Sequence, residues 1–311
     1  MDLQQAIAAV QPACEDSREA ARRRFSDIAI PLGSLGLLQD AVAQLAAIQR
    51  TVRPSIAKRA VVMFCADNGV VAQGVTQCGQ EVTATVTENM GRGKSTVCLM
   101  AAHISMDSFP VDIGVARDVE GARILRRKIR YGTADMTKEP AMTREEAVRA
   151  LETGIQMAEW CAAQGYRLVC GGEMGIGNTT TSAAVTAVLT GANVRDVTGR
   201  GAGLSSEGLE RKVRAIETAL KLHQPDPNDP VDILHKVGGL DIAGMAGFYL
   251  GAAACGLPVV LDGVISCAAA LIAVRLCPAV RDYLIAAHQS AEPAGRLLLE
   301  ALGYTPFISA G

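Results

Sequence analysis

The residues best suited to chemistry lie together in Gly171-Gly172-Glu173-Met174-Gly175-Ile176-Gly177-Asn178-Thr179-Thr180. Glycines let backbone N–H groups approach an anion closely, and threonine hydroxyls can add hydrogen bonds to phosphate oxygens. Glu173 stands at the mouth of the same stretch. A carboxylate beside an anion site opposes binding unless it has a chemical task, and the simplest task is to take a proton. A helix N-cap region tuned to the dipole is the plainer reading of the same residues. A second glycine stretch, Gly199-Arg200-Gly201-Ala202-Gly203, is followed by a helix that carries Lys212. Together these features suit a phosphorylated sugar and a proton-accepting carboxylate.

The elements around these residues can be read from their patterns. Tyr166-Arg167-Leu168-Val169-Cys170 is short and mostly apolar, and it lacks a helical period, so it reads as a buried strand entering a glycine loop at Gly171. Thr179 to Leu189 resumes as a small-residue helix. Strand, glycine loop and helix place N–H groups and a helix N-terminus against an anion. Apolar runs also end at Asp67, Asp112 and Asp262, and helical stretches separate them. That alternation predicts an α/β chain with a doubly wound, mostly parallel sheet, and ligands at the carboxyl ends of its strands.

Helices are expected over residues 1 to 27, Leu37 to Gln49 with Ser34 as a cap, and Arg144 to Gln164. Thr143 and Glu146 form a capping box for the last of these. Arg123 to Arg130 reads as a solvated face. Ile242 to Leu261 is uncharged and long enough to span a bilayer, but its glycines and Pro258 point to a core helix followed by a strand.

Composition narrows the class. The chain has 311 residues, 49% of them hydrophobic, and a net charge of −2, which leaves no basic surface for nucleic acid. The start, Met1-Asp2-Leu3-Gln4-Gln5, has neither the cationic nor the apolar region of a signal peptide. Nine scattered cysteines without a C-x-x-C pair point to reduced thiols in a cytoplasmic protein, with no membrane partner.

Three other chemistries fail on spacing. Gly93-Lys94-Ser95 ends like a Walker loop, but Glu88 stands where its first glycine belongs. Gly199-x-Gly-x-Gly departs from the dinucleotide fingerprint, and no G-x-S-x-G is present. His103, His223, His235 and His288 lack metal-ligand spacing, so neither a metal nor a cofactor is expected.

Gly172-Glu173-Met174-Gly175-Ile176-Gly177-Asn178-Thr179-Thr180 closely resembles the hallmark loop of nicotinate-nucleotide:dimethylbenzimidazole phosphoribosyltransferases. Further blocks resemble that family in the same order: Pro31 to Gly36, Cys65 to Val70, Glu81-Val82-Thr83, Val237-Gly238-Gly239, Val260 to Gly263 and His288 to Glu292. The resemblance covers nearly the whole chain. It implies a sheet of about six parallel strands flanked by helices and a small helical domain built from the termini. On that division residues 1–30 belong to the small domain, completed by the C-terminal region, and 31–311 form the transferase domain.

The resemblance also implies a reaction: 5-phosphoribosyl moves from nicotinate mononucleotide to an aromatic base, giving an α-ribotide and nicotinate for cobamide lower-ligand assembly. It places Glu173 as a catalytic group at the substrate end. Gly175, Gly177, Asn178, Thr179, Thr180, Gly201, Gly203, Lys212, Asp262 and Ser290 then surround phosphate and ribose. Cys78, Val86 and Met174 would line the base pocket. A dimer is expected, with itself or a related chain, and the glycine-spaced apolar helix over Gly247 to Gly251 is a candidate contact.

Several positions depart from the family. Asn68 stands where Asp-His-Gly is usual, and Cys78-Gly79 and Val86 replace more polar pocket residues, which favours an acceptor such as a phenol over dimethylbenzimidazole. Family members continue into a Gly-Glu-Gly-[Ser/Thr]-Gly block whose glutamate is the general base, whereas these residues end at Ser309-Ala310-Gly311. The expectation is that Glu173 alone does not replace that glutamate, leaving slow turnover or a binding subunit of a paired enzyme.

Overall fold

The computed structural model describes residues 1–309, so the Ser309-Ala310-Gly311 end lies mostly outside the described residues. Six strands form the main sheet: β1 (Arg59–Ala66), β2 (Asp107–Gly114), β3 (Leu125–Arg126), β4 (Leu168–Met174), β5 (Val259–Leu261) and β6 (Leu284–Ala286). They form one sheet in the order β3-β2-β1-β4-β5-β6, every pair parallel. The chain winds outward from β1 to β3, then crosses back to build β4 to β6 on the other side. The reversal opens a crevice beyond the carboxyl ends of β1 and β4, the favoured ligand position in such sheets.

Helices cover both faces of this sheet. Along β1, Ala60, Val62, Phe64 and Ala66 enter the larger core, while Val61, Met63 and Cys65 enter a smaller one. A strand buried on both sides has no polar face to alternate, hence its unbroken apolar sequence. On the larger face, helix Leu240–Ala254 packs against helix Arg144–Ala163 and against the strands. Contact is backbone to backbone, since a methyl on Gly247 would overlap the carbonyl of Leu151. The glycine spacing therefore serves packing inside the chain and leaves no face of this helix for a partner. No helix among the described residues is long and apolar enough to cross a membrane.

Four expectations need correction. Gly171, Gly172 and Glu173 lie inside β4, not in a loop, and the turn is confined to Gly175 to Gly177. Gly171 is needed because the Tyr249 ring occupies the space of its side chain. The N-terminal helix is broken into Leu3–Ala9 and Glu15–Asp27. Leu37–Gln49 is capped by Gly36 without a side-chain bond, so Ser34 is not its cap. The arginine-rich segment is only partly solvated: it supplies β3, Lys128 pairs with buried Asp112 at 3.2 Å, and Arg130 pairs with Glu146 at 3.0 Å. The Thr143–Glu146 capping box forms in both directions, and Gly256 ends its helix with a φ of 69°.

The terminal segments meet distant parts of the chain. Leu3, Ala6 and Val10 join the larger core, and the Tyr283 hydroxyl donates to the Gln11 carbonyl at 2.7 Å. Ala21 packs with Ala43 and Ala46 in a separate small cluster.

Gly247→Ala tests the backbone contact. Alanine favours a helix by about 1 kcal/mol over glycine, but here the methyl has no room. The expected result is a net loss of about 1–3 kcal/mol in urea unfolding, and a stabilised variant would contradict the packing.

Candidate active site

The crevice is built from residues that follow β1 and β4. After β1 come Asp67 and Asn68, both buried. After β4, Gly175 passes so close to the Ala66 carbonyl that no side chain fits. Gly177 then takes a φ of 94°, which glycine tolerates, and opens helix Asn178–Thr190 with no side-chain cap. The Asn178, Thr180 and Thr181 N–H groups of that helix donate to the Gly175 and Gly177 carbonyls, which leaves, among the described residues, the Thr179 N–H without an acceptor at the positive end of the dipole. Among the described residues the Thr180 hydroxyl is buried in that first turn without a partner, and the Asn68 side chain lies beside Asp241.

Two adjacent residues on the first turn join the halves of the site. Asn178 faces carboxylates: its Nδ2 donates to Glu173 Oε2, and to Asp241 Oδ2 at 3.2 Å. Thr179 faces a cation: Lys212 Nζ donates to its Oγ1 at 2.9 Å and to the Gly199 carbonyl at 3.0 Å. Lys212 is only 1% exposed and has no ion pair among the described residues. Burial depresses its ammonium to about 8, and the nearby Glu292 opposes that shift. A buried cation held only by neutral oxygens is a site prepared for an anion.

The second glycine stretch lies over this cation. Gly201 sits against Thr179, and its N–H donates to Glu292 Oε1 at 3.1 Å. The Gln77 amide donates to the Gly203 carbonyl. On the other side, a cavity of about 170 Å³ is lined by Glu173, Asp262, Ser266 and Ser290 among others. Asp262 is exposed at its rim. Glu173 keeps some solvent contact, yet burial pushes its carboxyl up to about 8, with the charge of Asp241 adding to the effect. Asp241, wholly buried, is raised to about 6 by the same desolvation.

The structure thus gathers Glu173, Asn178, Asp262 and Ser290 on one side and Thr179, Gly201 and Lys212 on the other. Val86 and Met174 pack against the smaller core, on the face of the sheet away from Asp241. Cys78 is exposed and lies outside that cluster. Among the described residues no group of His, Cys, Asp and Glu could hold a metal. Sequence reasoning missed Asp241, a lone carboxylate opening a long uncharged helix directly after Gly238-Gly239. It also passed over the carboxylate of Glu292 as a contact of the second glycine loop.

A parallel sheet with an anion-ready helix at its switch point and an acid-lined cavity beyond β4 and β5 suits a phosphorylated ligand. Residues 10–311 match the DBI_PRT family, described as phosphoribosyltransferase. A nicotinate-nucleotide–dimethylbenzimidazole phosphoribosyltransferase of Acetivibrio thermocellus is 45% identical over 307 residues, spanning 99% of this chain and 88% of that protein. The enzyme of that name from Geobacter sulfurreducens is 45% identical over 98% of this chain and 87% of its own length. The crystal structure of the enzyme from Thermus thermophilus superposes with a TM-score of 0.89 at 40% identity, covering 96% of this chain and 88% of that one. The chain belongs to the nicotinate-nucleotide–dimethylbenzimidazole phosphoribosyltransferase family.

The raised Glu173 carboxyl has a consequence for stability. Between the ordinary carboxylate range and about 8 the folded protein holds a proton there that the unfolded chain releases. Folding stability contributed by this group is therefore complete at acid pH and is lost as pH rises toward about 8. Glu173→Gln cannot ionise, so its melting temperature should gain on the parent as pH climbs through that window. A constant difference by calorimetry across the window would show that the carboxyl is not held protonated.

Proposed function

We propose that the protein transfers 5-phosphoribosyl from nicotinate mononucleotide to an aromatic base, for the lower ligand of a cobamide. The observation that carries this reading is the buried Lys212 ammonium, without an ion pair among the described residues, beside a helix N-terminus with no side-chain cap. A phosphate dianion supplies the missing counter-charge and accepts from the Thr179 N–H and from the Thr180 hydroxyl. The ribose then extends toward Asp262, Ser290 and Glu173, which line the cavity.

The reaction needs little from the protein at the leaving group. The bond from the anomeric carbon to the cationic nicotinate nitrogen breaks, and its electron pair neutralises that nitrogen. The acceptor nitrogen or oxygen attacks from the opposite face, which inverts the centre to α. The acceptor's proton must leave, and Glu173 can assist in taking it once ionised, its raised carboxyl giving that ionised form a basicity suited to pH near about 8. Val86 and Met174 offer apolar surface to a flat ring, which suits a phenol or a benzimidazole with few polar contacts.

Two measurements test this reading. By calorimetry, nicotinate mononucleotide should bind, and its riboside without phosphate should bind far more weakly. Lys212→Met should erase that preference, because it removes the counter-charge. Equal affinity of the parent for both ligands sinks the phosphate assignment. Acceptor choice is tested with Val86→Gln, which should raise the rate with benzimidazoles relative to phenols. Unchanged relative rates over such a panel would move the acceptor pocket away from Val86.

A further inference from the structure

Asn178 makes an unusual bridge. Its amide nitrogen carries two N–H bonds, and both are spent on acids: Glu173 on one side and Asp241 on the other. An ionised carboxylate only accepts hydrogen bonds, so the amide must present its NH₂ to the pair. Glu173 faces the cavity, whereas Asp241 is 0% exposed. Gly175 and Gly239 close over Asp241, and Asn68 lies beside it. No substrate atom reaches it.

A purely structural account of Asp241 is weak. It stands in the first turn of helix Leu240–Ala254, where the dipole favours a negative charge, and its Oδ1 accepts from the Ile242 N–H at 3.0 Å. Those contacts are available to an acid on the solvent side of any helix. Burying one beneath a second carboxyl costs stability instead of adding it. We propose that Asp241 is a positioning residue for the transfer: through the Asn178 amide it fixes Glu173 at the cavity and keeps a negative charge beside it. This rests on the reading of Glu173 as a group that assists in taking the acceptor's proton.

The surroundings allocate the charge. Asp241 has the helix terminus and the Ile242 N–H to hold its negative charge, and Glu173, at the end of a strand, has only the shared amide. The other titratable groups facing Glu173 are Asp262 across the cavity and the Cys65 thiol on β1, which burial pushes up to about 12 and so keeps neutral. None is a cation. A proton shared by the pair therefore resides on Glu173, and its release follows the charge on Asp241.

The test uses the full chain without ligand. The Glu173 carboxyl is followed by infrared difference spectroscopy against pH, with Glu173→Gln to assign its band. Asp241→Asn keeps the shape and an acceptor for the amide but removes the charge, so the Glu173 midpoint should fall by roughly one pH unit or more. The rising limb of kcat against pH should move the same way, with little change in affinity for nicotinate mononucleotide. Asn178→Ala removes the donor to Glu173, and the midpoint should move the other way, upward. An unmoved midpoint in Asp241→Asn overturns the proposal. If that variant does not fold, a midpoint that falls or stays in Asn178→Ala overturns it equally. The infrared readout needs no turnover, so a parent inactive with every acceptor would sink the functional reading and leave this one standing or falling by itself.

Discussion

The close approach of helix Leu240–Ala254 to the sheet is the constraint on which the site depends. Tyr249 fills the notch left by Gly171 in β4, and Gly244 lies against Phe64 of β1. At the far side of the same helix, Gly247 touches the backbone of helix Arg144–Ala163. With both sides fixed, the helix can neither slide nor rotate, and its first turn delivers Asp241 to the crevice between β1 and β4. Interiors packed at this density transmit small shifts. A sub-ångström displacement at Gly247 would be felt at the Glu173–Asn178 bridge.

The site carries charges that the described residues leave incompletely matched, and they lie on opposite sides of one helical turn. Lys212 lacks an anion next to Thr179, while Glu173 and Asp241 compete for the amide of Asn178. Bringing Lys212 against the acids would satisfy both, and it would leave a stable protein with no reason to bind a phosphorylated sugar. The glycines of the turn and the short side chains of Asn178 and Thr179 keep the two sides apart. Uncompensated polarity of this kind costs folding stability and is tolerated where a ligand repays it.

The large-scale architecture was legible because it follows from local rules. Leu37–Gln49 and the Thr143-capped helix have a regular hydrophobic period and definite ends, and the parallel sheet follows from apolar runs separated by helices. Contacts between distant residues were not legible in that way. Nothing within a few residues of Gly171 announces that Tyr249 will displace a loop into a strand there. Asp241 escaped notice beside an uncharged stretch because burial of a charge depends on what stands across from it. The solvated reading of Arg123 to Arg130 failed for the same reason: Lys128 answers Asp112, and that partner is on another strand.

Glu292 shows how the site keeps itself assembled. Its carboxylate accepts the Gly201 N–H and lies near enough to Lys212 to oppose the desolvation of that ammonium. It also presses on Gly199, where a side chain would overlap it. A carboxylate is a fair electrostatic stand-in for part of a phosphate, carrying one charge where the ligand brings nearly two. The glycine loop is therefore held in a ligand-ready shape without a ligand, which lowers the ordering cost of binding. The stand-in must be weaker than what it represents, and Glu292 is: it reaches one loop N–H and makes no ion pair with Lys212 among the described residues. On the proposed reading a phosphate seated at the helix terminus would meet the ammonium and the Thr179 N–H together, so the exchange would favour the ligand while an uncharged sugar has nothing to offer in its place.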